Sequence, residues 1–389
     1  EHDAAGLPGL RAAVERNLQT YLADLRQVVD IDCGTFLPDG VNAVADVLQR
    51  RFESWGWTAQ RIPHRPGLGE EQLGDVLVAR IEGGAQGRVL LVGHMDTVFS
   101  VGAAKDRPFR MEGSRAFGPG VVDMKDGLLA GLYAVRALQD TRARFGSISY
   151  VCNPDEEIGS PFSSAVIREA AAAADVCFVL ESARQDGDIV SSRKGVRDFH
   201  IVYTGRAAHA GVEPERGRSA TLQAAHTTVA LHGLNGRWDG VTVNVGVLQG
   251  GTRPNVVADR CEVQADMRAP TAGSYEEARA EIERIARDTV VPDLSVEISS
   301  RSSFPPMERS QATAALVDRA VAIARDLGFE LGETATGGAS DANAVAALGV
   351  PTLDGLGPVG GAAHSPEEWL DLDSVVPRTT LLAALIASS

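Results

Sequence analysis

The apolar run from Val89 to Val92, which leads into His94 and Asp96, constrains the fold more than any other stretch of the chain. Its unbroken apolar character reads as a strand buried on both faces, the kind found inside a parallel sheet. Open α/β sheets hold their ligands outside the carboxyl ends of the strands, which is where this pair falls. On a strand, residues two apart point to the same side, so the Asp96 carboxylate is expected beside the His94 ring. Taken alone, the pair reads as a satisfied histidine at a strand end.

The surrounding pattern supplies the sheet. Helices are predicted from Pro8 to Ile31 and from Val41 to Trp55, where apolar residues recur on one face. Strands follow at Thr58–Ile62 and Val76–Ile81. A long loop runs from Thr97 to Gly120, a helix opens after Val121 and ends near Leu138, and a strand covers Ser147–Cys152. A helix to Ala173 and a strand at Val176–Leu180 lead to Glu181. This alternation predicts an α/β domain on a mixed, largely parallel sheet.

At 389 residues the chain is too long for one ordinary core. The pattern changes at Ile189–Thr204, which alternates like exposed antiparallel strands with a turn at Lys194-Gly195. A helix at Ser219–Leu231, strands at Val241–Leu248 and Asn255–Met267, a helix at Tyr275–Ala286 and a strand at Leu294–Ser300 complete an α+β sandwich of ferredoxin-like order. The α/β pattern resumes with a helix from Gln311 to Leu327, a strand ending at Pro351 and a helix from Ser374 to Ala387. The expected division is residues 1–190 with 304–389 for the first domain and 191–303 for the inserted one.

Composition excludes several classes of function. A net charge of −15 argues against nucleic-acid binding, which favours a basic face. No apolar run approaches the ~18 residues of a membrane span. Cys33, Cys152, Cys177 and Cys261 are far apart with no CxxC spacing, and buried free thiols are expected. That fits a cytoplasmic location, although the first residues, Glu1-His2-Asp3, leave room for a removed export segment.

Several predicted strand ends carry residues that bind metals: His94, Asp123, Glu157, Glu181 and, later, His364. Imidazole and carboxylate together suit zinc in open catalytic sites. Each is weak evidence alone, since Glu-Glu pairs are usually solvated and Asp123 could be a helix N-cap. Together, carboxylates following apolar strands call for a counter-charge, and no run of lysine or arginine supplies it.

The chain resembles the two-zinc metallopeptidases and deacylases, a family that includes glutamate carboxypeptidase, succinyl-diaminopimelate desuccinylase, acetylornithine deacetylase and aminoacylase. The resemblance runs through GHMDTV (Gly93–Val98), GPGVVDMKDG (Gly118–Gly127), PDEEIGS (Pro154–Ser160), LES (Leu180–Ser182) and His364. It continues in GRAAHAG (Gly205–Gly211), RPNVV (Arg253–Val257), DMR (Asp266–Arg268) and TGGASDA (Thr336–Ala342). It implies two zinc ions per subunit, bridged by Asp123, with His94 and Glu181 completing one site and Glu157 and His364 the other. Asp96 would orient His94. Glu156 would be the general base, taking a proton from water and passing it to the leaving nitrogen.

The resemblance also makes the inserted domain a lid and dimerisation domain. Its His209 would reach the tetrahedral oxyanion, often from the partner of a homodimer. Arg268 and Asn255 would hold a substrate carboxylate, with a strand-edge salt bridge as the alternative for Arg268. Gly337 and Gly338 would let the loop approach the substrate. Where the family has a glycine after the DMK lysine, this chain has Asp126, expected to face solvent at the helix start. His2, His64, His200, His226 and His232 match no motif.

The function implied is zinc-dependent hydrolysis of an amide bond in a small N-acyl amino acid or peptide, closest in look to glutamate carboxypeptidase. An aminoacylase-type deacylase or a dipeptidase is the alternative. A non-catalytic binding protein should have lost the base or a ligand, and all are present. A phosphate-binding loop at Gly118-Pro119-Gly120 conflicts with Asp123, whose charge would repel pyrophosphate.

Overall fold

Arg88–His94 forms the buried strand that its apolar run predicts, with a parallel neighbour on each side, Ser147–Asn153 and Val176–Val179. The computed structural model describes residues 6–300 and 303–389, so His2 and residues 301 and 302 of the inserted segment lie outside the described residues. Two compact units emerge: residues up to Ser191 with Arg309–Ala335 and Ser340–Ser389, and Ser192–Glu308 with Thr336–Ala339.

The main sheet of the first unit has six strands, in the order Thr58–Ile62, Val76–Glu82, Ser147–Asn153, Arg88–His94, Val176–Val179 and Thr352–Leu353. The first two junctions are antiparallel and the other three parallel. Helices Leu7–Val29, Asp126–Thr141 and Leu372–Ala387 pack on one another and share one apolar core with this sheet. Asp126–Thr141 is buried almost all round, as expected of a helix with apolar residues on every face.

Two expectations for this unit are corrected. The stretch Thr97–Gly120 contains a hairpin, Arg110–Glu112 with Arg115–Phe117, which Trp369–Asp371 and Gly360–Gly361 extend to four strands. This small sheet places the loop that carries His364 next to the turn that carries Asp123. The strand expected before Pro351 is a helix, Asp341–Ala346, with the strand following the proline. A capping box between Ser340 and Asn343 starts that helix and overrides the apolar reading of the segment.

In the second unit the strands run Thr242–Gly250, Arg260–Ala269, Gly195–Thr204, Ser295–Ser299, all antiparallel. Helices Ala220–His232 and Ala272–Arg287 follow the first and third of these in chain order, giving a ferredoxin-like plait with its own core. Ser219 caps the first helix and a Thr271–Ser274 capping box starts the second. Lys194-Gly195 makes no hairpin. Lys194 donates its backbone N–H to Thr336, and Gly195–Thr204 takes Arg260–Ala269 and Ser295–Ser299 as neighbours. Asn255 lies in the turn before its expected strand, which begins only at Arg260.

All four cysteines are buried and free. Among the described residues no helix is long and apolar enough to cross a membrane.

Candidate metal centre

At the carboxyl ends of the central strands the first unit brings His94, Asp123, Glu156, Glu157, Glu181 and His364 into one cluster. His94 Nε2 lies 3.1 Å from Asp123 Oδ1, 3.6 Å from Glu181 Oε1 and 3.9 Å from Glu156 Oε2. His364 Nε2 lies 3.0 Å from Asp123 Oδ2 and 3.2 Å from Glu157 Oε2. The two oxygens of Asp123 therefore face different imidazoles. Ligand atoms of His94, Asp123 and Glu157 fall within 4.8 Å of one another, as do those of His94, Glu156 and Glu181.

Local backbone geometry sets each of these side chains. Gly120, at φ 72°, opens the turn that carries Asp123, and a Cβ there would meet Thr97 Cγ2 at 2.6 Å. Gly127 lets the start of the following helix approach the Leu180 carbonyl, beside Glu181; a Cβ would lie 2.0 Å from that oxygen. His364 has φ 65° and Ala362 φ 53°, left-handed backbone that non-glycine residues seldom adopt. Such conformations persist where the surroundings hold them, and they cluster at functional sites.

Asp96 is fully buried and its contacts differ in part from those expected. The Nδ1 atom of His94 lies 2.9 Å from the backbone carbonyl of Asp96 and 3.4 Å from its carboxylate. An Nδ1–H donated to that carbonyl leaves Nε2 to face Asp123. The Asp96 carboxylate accepts the Thr35 hydroxyl (2.6 Å) and the backbone N–H groups of Glu156 (3.1 Å) and Glu157 (3.2 Å). It therefore ties the Glu156-Glu157 turn to the histidine strand.

Glu368 has no place in the sequence reading, yet its buried carboxylate accepts three backbone N–H groups of the Asp123 turn. The donors are Gly120 (3.0 Å), Val122 (3.0 Å) and Asp123 (2.9 Å). A Glu367-Glu368 pair reads as solvated surface. The available signal was its place between His364 and the small apolar strand at Trp369.

The electrostatics of the cluster match a cation-binding donor set. Burial alone would lower the His94 pKa, but Glu181, Asp123, Asp96 and Glu156 together raise it well above the ordinary value. His364 is pushed up to about 10 by hydrogen bonds to Asp123 and Glu157. Glu156 is raised well above the ordinary carboxyl range, first by burial and then by the charge of Glu181. Glu157 Oε1 is buried without a hydrogen-bond partner among the described residues. Carboxylates outnumber imidazoles, and a buried carboxylate oxygen without a partner is costly. N and O donors in this number fit zinc or a similar divalent ion.

Asp126 does not face solvent. It is fully buried, with Oδ1 accepting the Tyr21 hydroxyl at 2.5 Å and Oδ2 without a hydrogen-bond partner among the described residues. Burial raises its pKa to about 7. The helix start that would favour an exposed acid packs here against the Leu7–Val29 helix.

The remaining candidates belong to the second unit. His209 is exposed, and its Nδ1 accepts the Gly211 N–H at 3.2 Å. Backbone hydrogen bonds Ala210 N–H to Asn255 O and Val257 N–H to Ala208 O join the two loops that hold His209 and Asn255. Arg268 is gripped by Asp266 at 2.9 and 3.3 Å and donates to the Gly337 carbonyl at 2.6 Å. Gly338 offers its carbonyl to Arg193 at 3.0 Å.

Comparison with known proteins gives the family of the chain. The chain is 30% identical over 364 residues to carboxypeptidase G2 of Pseudomonas sp. (strain RS-16), covering 92% of this chain and 86% of that one. It is 26% identical over 289 residues to acetylornithine deacetylase of Myxococcus xanthus, covering 71% and 73%. Its fold matches the aminopeptidase PepT of Bacillus cereus ATCC 10987 with a TM-score of 0.81 at 23% identity, over 95% of this chain and 98% of the other. The sequence model of the peptidase family M20/M25/M40 matches residues 90–388. The chain is therefore a hydrolase of the peptidase family M20/M25/M40.

Proposed function

We propose that the chain is a two-zinc amidohydrolase that releases a carboxyl-terminal or N-acylated amino acid, in the manner of a glutamate carboxypeptidase. The observation that carries this reading is Asp123, each oxygen of which faces a different imidazole. His94 and Glu181 would hold one ion, Glu157 and His364 the other, and Asp123 both. Bound there, the ions would polarise the scissile carbonyl and lower the pKa of water.

Glu156 is assigned as the general base. Held at its backbone N–H by Asp96, it takes the proton of the attacking water and delivers it to the leaving nitrogen. Its raised affinity for a proton suits that exchange. Asp96 keeps the His94 ring oriented and fixes the base-bearing turn. His209, whose Nδ1 accepts a hydrogen bond and whose proton therefore sits on Nε2, is assigned as the donor to the oxyanion, contributed by the partner in a homodimer. Arg268 and Asn255 are assigned to the substrate carboxylate, with Gly337 and Gly338 as close backbone neighbours.

The test is a panel of N-acyl amino acids and dipeptides assayed with zinc-loaded protein. Cleavage of N-acyl-glutamates well above other substrates supports the carboxypeptidase reading. Equal cleavage across unrelated acyl-amino acids favours the aminoacylase alternative, and no cleavage of any amide removes the proposal.

A further inference from the structure

Asp341 is a buried carboxylate of the first unit that the proposed metal ligands do not include. It stands at the start of its helix, and both of its oxygens are taken by side chains from the segment around Glu156. Oδ2 accepts the Asn153 amide and Oδ1 the Ser160 hydroxyl, each at 2.5 Å. Asn153 precedes the Glu156–Ile158 turn and Ser160 follows it, so one carboxylate holds both flanks of the turn. Asp96 holds the middle, at the backbone N–H groups of Glu156 and Glu157.

The flanks differ in what they need. Ser160 has φ 55°, left-handed backbone that a non-glycine residue keeps only where its surroundings impose it. Its hydroxyl bond to Asp341 and its N–H bond to the Asp155 carbonyl, at 2.9 Å, supply that restraint. Asn153 ends the strand beside His94, and its carbonyl accepts the Met95 N–H at 2.7 Å. Asp341 is itself fixed. The preceding Ser340 caps the helix and donates its hydroxyl to Asp354 at 2.5 Å, and Asp354 exchanges both backbone hydrogen bonds with Val190. The helix Ser164–Ala172, into which the Glu156 segment runs, packs on the Asp341 helix.

An acid in this position is costly. Its hydrogen-bond partners Asn153 and Ser160 are neutral, and burial pushes its pKa up to about 6. Apolar side chains of the same shape would serve stability as well. The cost therefore points to a demand on position.

We infer that Asp341 is a positioning residue for the reaction, aiming the Glu156 carboxylate through Asn153 and Ser160 while binding neither metal nor substrate. The inference rests on the assignment of Glu156 as the base.

The test compares Asp341→Leu, Asp341→Asn and Ser160→Ala with wild type, all zinc-loaded, using N-benzoyl-glutamate as substrate. Leucine keeps the volume and removes both acceptors. Asparagine can accept from Asn153 and donate to Ser160, whose hydroxyl also accepts. Ser160→Ala removes one bond and little volume, and carries the test if Asp341→Leu does not fold. A displacement of ~1 Å can cost about 10²-fold, so Asp341→Leu should lower kcat by roughly that factor and Ser160→Ala by about tenfold. KM and zinc content should stay at wild-type values, and Asp341→Asn should recover most of the loss. In a Glu156→Ala background, Ser160→Ala should cost nothing further. Crystal structures read the same displacement without turnover, as a Glu156 carboxylate moved by ~1 Å or split between positions in Ser160→Ala and Asp341→Leu. A moved carboxylate with unchanged kcat supports the positioning of the turn and removes only the assignment of Glu156 as base. An unmoved carboxylate in Ser160→Ala, Asp341→Asn as impaired as Asp341→Leu, or zinc lost in step with kcat would overturn the inference.

Discussion

The Glu368 carboxylate accepts the backbone N–H of Asp123 at 2.9 Å and holds the turn that aims Asp123 between two imidazoles. Two further N–H groups of that turn, from Gly120 and Val122, point at the same carboxylate. These bonds run to backbone and not to the proposed ligand atoms, so the action of Glu368 is on position. Changing Glu368→Gln sets an amide donor against the N–H cluster and should weaken zinc affinity by roughly 10–100-fold, the range seen when partners of metal ligands are altered. Competition with a chromophoric chelator would measure it, with circular dichroism to verify the fold. Unchanged affinity would mean that the turn holds itself.

Glu156 lies 3.9 Å from His94 Nε2, farther than Asp123 or Glu181, and its backbone N–H is bonded to Asp96. Replacing Glu156→Ala should leave zinc content and melting temperature close to wild type while lowering kcat by about 10²–10⁴-fold, the usual contribution of a positioned base. Metal analysis alongside the assay separates the two roles open to this carboxylate. Loss of one zinc ion with the activity would make Glu156 a ligand and not the base.

Legibility from sequence followed the kind of contact each residue makes. His94, Asp123, Glu157, Glu181 and His364 stand out because polar residue types close apolar strands or interrupt glycine-rich turns, and the structure gathers them. Glu368 was invisible because its partners are backbone N–H groups, which leave no mark in the sequence. Asp126 departs from its expected exposure because the preference for acids at helix starts assumes a solvated end, whereas packing against Tyr21 decides its surroundings. For Arg268 the salt-bridge alternative describes its main contact, since Asp266 two residues earlier on the same strand face grips the guanidinium. Lys194-Gly195 has the residue types of a hairpin turn, but strand pairing depends on partners more than 50 residues away.

Removal of divalent ions should cost stability as well as activity. The cluster packs several carboxylates together, and Glu157 Oε1 has no hydrogen-bond partner among the described residues. A ligand present at about 100 times its Kd stabilises a fold by ~2.7 kcal/mol. Treatment with a chelator, followed by dialysis, should therefore lower the melting temperature by several degrees and abolish turnover, and added zinc should restore both. A melting temperature indifferent to zinc would argue that the cluster is held by its own hydrogen bonds.

Asp126 gives the fold a pH dependence whose sign can be worked out. In the unfolded chain its carboxyl titrates near 3.8, and burial raises it to about 7 in the folded protein. Between these values the unfolded state has released a proton that the folded state keeps, so stability falls as pH rises through the window. The difference corresponds to ~4 kcal/mol as an upper order of magnitude, full below about pH 4 and lost above about pH 7. Asp126→Asn keeps an oxygen for the Tyr21 hydroxyl but cannot ionise, so it removes this slope. Urea unfolding of zinc-free wild type and Asp126→Asn at several pH values from 5 to 8 would measure it. The wild type should lose stability relative to the variant across that range, and parallel curves would show that the folded protein admits the charged carboxylate at no cost.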